Sequence, residues 1–278
     1  MRFRFEGELA MRLLVFADLH YFGGDIRTAI FNTEQKQVRY ALPVLEHLMD
    51  YANGEFGADV CVNLGDLIQD DRDKQRDLDC YGDVLRKLSG FSCPCYSILG
   101  NHELKMMDHV SDMEAVLGYR STYSVDIMGY HLVFLSPEVR PELGTSRGGC
   151  YKAQYLGEDT IRWLAEDLKN NHLPALVFAH YPLSEDETVE DPLMFMKDRA
   201  AVKEILRHDP NLVAVFSGHQ HVAKAFEEDG VRYFLAGALV PAPDEEGMVC
   251  GQYMEVVVEG SSLEVTNKKI PVAELPGV

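Results

Sequence analysis

The chain has 278 residues, of which 46% are hydrophobic, enough to bury a large core. Its 26 basic against 45 acidic residues give a formal net charge of −19, which disfavours a nucleic acid duplex or an anionic membrane as partner, since both bind through Lys and Arg. No apolar run approaches the ~20 residues of a membrane span, and six cysteines (Cys61, Cys80, Cys93, Cys95, Cys150 and Cys250) are too few for a disulfide scaffold. A soluble protein of the reducing cytoplasm is the expectation.

The first residues, MRFRFEGELA, lack the apolar stretch and small-residue cleavage site of a secretory signal, and Met11 offers an alternative start to Met1. Arg12 to Ala17 predicts a buried strand. Glu34 to Tyr51 carries Val38, Leu42, Leu45 and Met49 at helical spacing. Ala58 to Leu64 predicts a second strand, Asp77 to Leu88 a helix with Leu78, Val84, Leu85 and Leu88 inward, and Cys95 to Leu99 a short strand. Thr122 to Ile127 and Tyr130 to Ser136 form a hairpin about Met128-Gly129. Glu158 to Leu168 is a helix with Ile161, Leu164 and Leu168 on one face, and Trp163 at the same spacing is expected in the core. Ala175 to Ala179 is a strand, Lys197 to Arg207 a helix, Leu212 to Phe216 a strand, and the tail from Val222 reads as strands separated by Gly and Asp turns. The pattern predicts a single α/β domain over residues 1–278, with a core at about 12–240 and C-terminal strands to about 267. Its expected architecture is a four-layer αββα sandwich of two mixed β-sheets flanked by helices.

The residues just beyond each apolar strand carry the chemistry. The strands end in Asp18-Leu19-His20, Gly65-Asp66, Gly100-Asn101-His102-Glu103, His180-Tyr181-Pro182 and Gly218-His219-Gln220-His221. In open α/β sheets, ligands gather beyond the carboxyl ends of the strands, so these clusters are expected to share one cleft. In extended chain, side chains two apart point the same way. Asp18 and His20 can therefore share an ion, as can His219 and His221 if that segment is extended, whereas the adjacent Asn101 and His102 should diverge. Gly65, Gly100 and Gly218 allow sharp turns and close backbone approach. A mixed set of carboxylate, imidazole and amide ligands suits Mn, Fe, Co, Ni or Zn.

Singly, each of these motifs has an ordinary structural explanation as a turn or cap; their joint occurrence in this order does not. Asp-x-His, Gly-Asp, Gly-Asn-His-Glu, a lone His and Gly-His-x-His resemble the calcineurin-like metallophosphoesterases over about residues 12–240, and most closely the small-molecule branch related to class III cyclic-nucleotide phosphodiesterases. The resemblance implies that Asp18, His20, Asp66 and His221 bind one metal and that Asp66, Asn101, His180 and His219 bind a second, with Asp66 bridging. His102 would be the catalytic acid, oriented by a carboxylate that the sequence does not identify. The protein phosphatases among these relatives carry Asp-Arg-Gly after Gly-Asp and an Arg before Gly-Asn-His. Here the corresponding stretches are Asp66-Leu67-Ile68-Gln69-Asp70 and Ile98-Leu99-Gly100-Asn101, without either phosphate-gripping Arg.

The implied activity is hydrolysis of a small-molecule phosphodiester, such as a cyclic nucleotide, by a hydroxide bridging two divalent or transition metal ions. A phosphomonoesterase or nucleotide pyrophosphatase could use the same centre, and a non-catalytic scaffold is disfavoured because every ligand position is filled. Other candidates are weaker. Cys93-Pro94-Cys95 has the wrong spacing for a metal or redox pair and no partner pair nearby, so ordinary thiols are expected. Arg140 and Arg147, in a Gly- and Pro-containing loop, could grip a phosphate but suit a surface. Tyr21 and Phe22 could stack on a base. The acidic run Glu185 to Glu190 is a solvated loop or a rim of the cleft.

Overall fold

The computed structural model describes residues 10–24, 36–145, 151–184 and 189–276. In chain order its elements are β1 (Met11–Phe16), α1 (Ala41–Tyr51), β2 (Val60–Asn63), α2 (Lys74–Leu88), β3 (Cys95–Ser97), α3 (Asn101–Leu104), α4 (Val110–Leu117), β4 (Tyr123–Ile127) and β5 (Tyr130–Leu135). There follow α5 (Glu158–Asn170), β6 (Ala175–Ala179), α6 (Arg199–Leu206), β7 (Leu212–Ser217), β8 (Lys224–Glu228), β9 (Val231–Leu235), β10 (Ala242–Pro243), β11 (Val249–Glu259) and β12 (Ser262–Pro271).

The strands form two mixed sheets. One runs β10-β11-β1-β2-β3, with β12 also paired to β11; the other runs β4-β5-β6-β7-β9-β8. In the first, β1, β2 and β3 are parallel and β11 is antiparallel to β1. In the second, β5, β6, β7 and β9 are parallel, with antiparallel β4 and β8 at the edges. The parallel order aligns the carboxyl ends of β1, β2, β3, β6 and β7, the five strands that precede the polar motifs.

Strand alternation explains the layering. Met11, Leu13 and Val15 of β1 join Leu132 and Phe134 of β5 between the sheets. Leu14 and Phe16 point the other way, onto Val44, Leu45 and Leu48 of α1 and Tyr81 and Val84 of α2. Val133 and Leu135 of β5 pack outward with Leu164 and Leu168 of α5 and Val202 and Leu206 of α6. Three apolar seams thus separate four layers, as the αββα expectation requires. Across the second sheet Phe134, Phe178, Phe216 and Phe234 stack with successive ring centroids 5.1, 5.4 and 5.3 Å apart, cross-strand contacts that help fix the register.

Several boundaries differ from the sequence expectation for identifiable reasons. Helix α2 begins at Lys74 because the Asp73 side chain caps it, accepting from Arg76 N at 3.0 Å. Its buried face is Asp77, Tyr81, Val84 and Leu88, with Leu78 and Leu85 only partly buried against the core. In α1 the buried face is Ala41, Val44, Leu45 and Leu48. Leu42 and Met49 flank it, and Val38 lies in a 3-10 turn that resets the phase. Residues 34–35 lie outside the described residues. Trp163 is half-buried against the outer seam rather than in the core. The Met128-Gly129 turn has φ of 51° and 83°, the two positive values of the tight hairpin turn that suits right-twisted strands.

Candidate metal centre

The five predicted clusters meet at one end of the sandwich. Their loops are laced by backbone hydrogen bonds: Asp18 N donates to Gly65 O at 3.0 Å, His20 N to Asp66 O at 3.0 Å, and Gly218 N to His180 O at 2.9 Å. The route differs from the extended chain expected. Asp18, His20, Asp66, His219 and His221 all have left-handed φ, at 57°, 50°, 53°, 69° and 57°, a region that non-glycine residues enter only when the surroundings hold them there. Three glycines are required sterically. A Cβ on Gly100 would lie 2.2 Å from Asp66 Oδ1, and one on Gly218 would lie 2.7 Å from Ala17 Cβ. Gly65 combines φ of 96° with a would-be Cβ 2.7 Å from Gly100 N.

Potential ligand atoms fall into three groups, each within a 4.8 Å span: Asp18, His20 and His221; His20, Asp66 and His102; and Asp66, His180 and His219. His20 Nε2 lies 3.1 Å from His221 Nε2, 3.8 Å from Asp18 Oδ1 and 3.9 Å from Asp66 Oδ2. His180 Nε2 lies 3.1 Å from Asn101 Oδ1, 3.2 Å from His219 Nδ1 and 3.5 Å from Asp66 Oδ2. Asp66 therefore stands between the two clusters. His219 and His221 do not share one, as an extended segment would have them do; the turn sends them to opposite sides.

Hydrogen bonds on the far ring atoms assign the imidazole edges. His180 Nδ1 donates to Leu64 O at 2.8 Å and His219 Nε2 to Leu193 O at 3.1 Å. His180 is left presenting Nε2, and His219 Nδ1, to the shared space, the usual way a protein orients metal-binding histidines. The electrostatics point the same way. Burial alone would raise the Asp66 carboxyl, yet His180 and His102 hold it well below the usual carboxylate range. Burial would lower His180, but Asp66 and Asp18 push it up to about 9. Burial and neighbouring His180 push His219 down to about 3. Asp18 is fully buried, its Oδ2 accepts from His219 N at 3.0 Å, and its Oδ1 faces His221 Nε2 at 3.3 Å without a hydrogen bond of proper geometry. An ionised, desolvated oxygen whose hydrogen bonding is unsatisfied is costly unless a cation meets it, and the His20 and His221 nitrogens converge on the same space, so this donor set fits a metal pair.

His102 is the second residue of α3, so helical rotation, and not the alternation of an extended pair, turns it away from the adjacent Asn101. Its Nε2 is 3.9 Å from Asp66 Oδ2, and its Nδ1 is 2.7 Å from Asp70 Oδ2. Asp70 is the orienting carboxylate that the sequence left unnamed; Lys105 Nζ at 3.2 Å and Gln69 Nε2 at 3.3 Å hold the same oxygen. Sequence reasoning also passed over Glu103 and Lys36. Glu103 Oε2 accepts from Asp66 N and Gly100 N at 2.9 and 2.7 Å, and its Oε1 accepts from Ile68 N at 3.0 Å, so one carboxylate clamps two ligand loops. Burial and the Asp66 charge push its carboxyl up to about 7, against the pull of these donors. Glu103 was visible as the last letter of its motif; Lys36, with Nζ 3.3 Å from His20 Nδ1 and 3.1 Å from Gln69 Oε1, gave no local signal.

The weaker candidates stand apart. Arg140 pairs with Glu138 and stacks on Tyr155 with its guanidinium 4.0 Å from the ring centroid. Phe22 packs with Val38, Ala238 and Val240. Tyr21 borders a cavity lined also by Leu42, Asp83, Arg86 and Lys87, none of them a candidate ligand. Arg147 and residues 185–188 lie outside the described residues. No helix among the described residues is long and apolar enough to cross a membrane.

Comparison with known proteins agrees with this geometry. The profile of the family described as calcineurin-like phosphoesterase matches residues 11–223. A dimetal phosphatase from Danio rerio superposes with a TM-score of 0.66 at 15% identity, covering 93% of this chain and 98% of that one. A protein of Thermus thermophilus gives 0.53 at 15% identity, covering 93% and 99%. A putative 5′-nucleotidase from Staphylococcus aureus, crystallised with alpha-ketoglutarate, gives 0.56 at 13% identity; this chain is covered to 95% but spans only 54% of that one. At these identities the likeness is one of fold. No curated protein matches by sequence.

Proposed function

This chain belongs to the calcineurin-like phosphoesterase family, and from that premise we propose that it hydrolyses a small-molecule phosphodiester, such as a cyclic nucleotide, at a dinuclear metal centre. Asp18, His20, Asp66 and His221 would hold one ion and Asp66, Asn101, His180 and His219 the other, with Asp66 shared. The candidates are Mn, Fe, Zn, Co and Ni. When bound, such a pair supplies Lewis-acid activation of the phosphoryl group and an acidified water.

The chain's own contribution to the chemistry is the His102–Asp70 pair. Asp70 accepts the Nδ1 proton at 2.7 Å, so the imidazole is fixed with Nε2 toward the Asp66 side of the cleft. A protonated His102 there can pass its Nε2 proton to the departing alkoxide and return to the neutral tautomer that Asp70 favours. This is the observation that carries the reading: an oriented proton donor beside the candidate bridging carboxylate serves an ester whose leaving group needs a proton. The missing Arg grips favour a diester, whose single negative charge needs less compensation than a monoester dianion. Of the two loop arginines, Arg140 is already engaged by Glu138 and Tyr155.

A monoesterase or nucleotide pyrophosphatase is the second reading, favoured by a fold shared with a dimetal phosphatase. The two separate in one assay. With Mn²⁺ supplied, bis(p-nitrophenyl) phosphate should be turned over with a higher kcat/KM than p-nitrophenyl phosphate, and a reversed order would establish the second reading. A screen of cyclic nucleotides, dinucleotides and lipid-like diesters would then define the substrate.

A further inference from the structure

Behind the metal centre, at the opposite ends of the strands that carry it, three thiols lie on the helix-facing side of the first sheet. Cys61 is in β2, Cys95 is its register partner in β3, and Cys93 lies two residues earlier, in the bend entering β3. One contact joins sulfurs that lie far apart in the sequence. Cys93 Sγ lies 3.5 Å from Cys61 Sγ, because β2 pairs with β3 and Cys61 N donates to Pro94 O at 2.9 Å. The two differ in environment. Cys61 is fully buried. Cys93 is half-buried and lines a surface cavity of about 560 Å³ together with Arg86, Leu88, Phe91, Cys95 and Tyr119.

We propose that Cys93 is a hydroperoxide-reactive thiol and that Cys61 resolves its oxidised form as an intramolecular disulfide. The geometry supplies the three things such a site needs: an opening for a small oxidant, an attacking sulfur at that opening, and a second sulfur in contact with it. Exposure sets the roles: Cys93 lines the cavity, whereas Cys61 is fully buried. The thiolate is the nucleophile, so Cys93 attacks first. Its sulfur bonds to one peroxide oxygen, the O–O bond breaks, and the alkoxide leaves as an alcohol with the thiol's proton. Cys61 then attacks the sulfur of the resulting sulfenic acid. The S–S bond forms, the S–O bond breaks, and hydroxide departs as water with the Cys61 proton. Two thiols lose two electrons and the hydroperoxide gains them.

The link would tie the start of β2 to the entrance of β3. These strands lead to Asp66 and Asn101 at their other ends, and the closed loop contains Asp66, Asp70 and all of α2. The site does not rest on the proposed phosphoesterase activity, and its test does not read that activity. The full-length protein is treated with hydrogen peroxide at stoichiometric ratios, quenched with N-ethylmaleimide and mapped by peptide mass spectrometry. A Cys61–Cys93 cross-linked peptide, lighter by two hydrogens, is expected in the native protein and in Cys95→Ser, and is lost in Cys93→Ser. Because Cys61→Ala opens a void in the core, a second readout uses the unmutated chain: brief maleimide labelling without oxidant should modify Cys93 several-fold faster than Cys61 or Cys80 and abolish later cross-linking. A Cys93–Cys95 or Cys61–Cys95 link, failure to cross-link, or uniform labelling overturns the assignment.

Discussion

Asp66 reaches both clusters, 3.9 Å from His20 Nε2 and 3.5 Å from His180 Nε2. Asp66→Ala should therefore reduce metal content at both positions, while His221→Ala should reduce it at one. Elemental analysis of Mn²⁺-reconstituted protein separates the cases, and equal losses would remove the bridging role. His102 makes the opposite prediction. His102→Ala should keep both ions and lower kcat by about 10²–10⁴-fold, the usual range for a lost general acid. The defect should shrink for p-nitrophenolate esters, which need no proton, and grow for an alkoxide leaving group. Because His102 also falls within a ligand group with His20 and Asp66, loss of metal in the variant would reassign it as a ligand. Asp70→Asn tests the orienting role: it should lower kcat in the same leaving-group-dependent way with KM nearly unchanged, since the contact from Asp70 to the proposed acid is the one to His102 Nδ1 at 2.7 Å. The residue types at this site were legible because motifs sit at strand ends and side-chain chemistry does not depend on fold. The partners Asp70 and Lys36 were not. One follows Gly-Asp at a spacing that only the loop conformation turns toward His102, and the other arrives from a distant segment.

Elements transmit these positions. Glycine matters most where two ligand loops touch, and Gly100→Ala would drive a Cβ to within 2.2 Å of Asp66 Oδ1. That substitution should unseat the carboxylate and lose metal while leaving the αββα core folded, as judged by a near-native far-ultraviolet dichroism spectrum. A second constraint lies far from the site. His131 of β5 is buried between Asp126 of β4 at 2.6 Å and Asp167 of α5 at 2.8 Å, and Asn171 Nδ2 donates to Asp126 Oδ1 at 2.9 Å. Burial would lower its imidazole pKa, but the two carboxylates raise it above the ordinary value. A raised folded-state pKa favours folding most where the imidazole is protonated in both states. The contribution is full below the ordinary histidine pKa of about 6.5 and is lost as pH rises through the raised folded value. His131→Gln should therefore destabilise by on the order of 2 kcal/mol at pH 5.5 and by less at pH 9, measured by urea unfolding. A difference that grows with pH would contradict the ion-pair account. Strand periodicity located β6 and the hairpin well, because apolar runs bounded by turns are local signals. The phase of α1 was missed because a 3-10 turn at Val38–Tyr40 offsets the helical count, and the short α3 was missed because a single turn has no period to detect.

At the scale of the whole molecule, layer order was legible and convergence was not. Alternating strands and helices imply a parallel sheet with a ligand end, and the two sheets duly present five strand ends to one cleft. What the sequence withheld is how those ends bend toward one another. The bending depends on left-handed backbone at Asp18, His20, Asp66, His219 and His221, conformations set by hydrogen bonds between loops far apart in the chain, such as His219 N to Asp18 Oδ2. Such a centre stores unfavourable terms: five residues in a sparsely populated region, and carboxylates held ionised in a desolvated pocket. A metal pair that binds only the folded chain offsets them by mass action. Full loading at about a thousand times the dissociation constant adds about 4 kcal/mol. For a chain of this length that corresponds to a rise in melting temperature on the order of 10 °C. Removing metal with a chelator should lower the melting temperature by a comparable amount and reversibly, with Mn²⁺ restoring it. Asp66→Ala, which lacks the shared ligand, should melt at nearly the same temperature with and without chelator. If the native protein were equally indifferent to the chelator, these residues would form a self-sufficient polar network instead of a metal centre. If the variant kept the full shift, the stabilising ion would be bound somewhere other than between Asp18, Asp66 and the histidines.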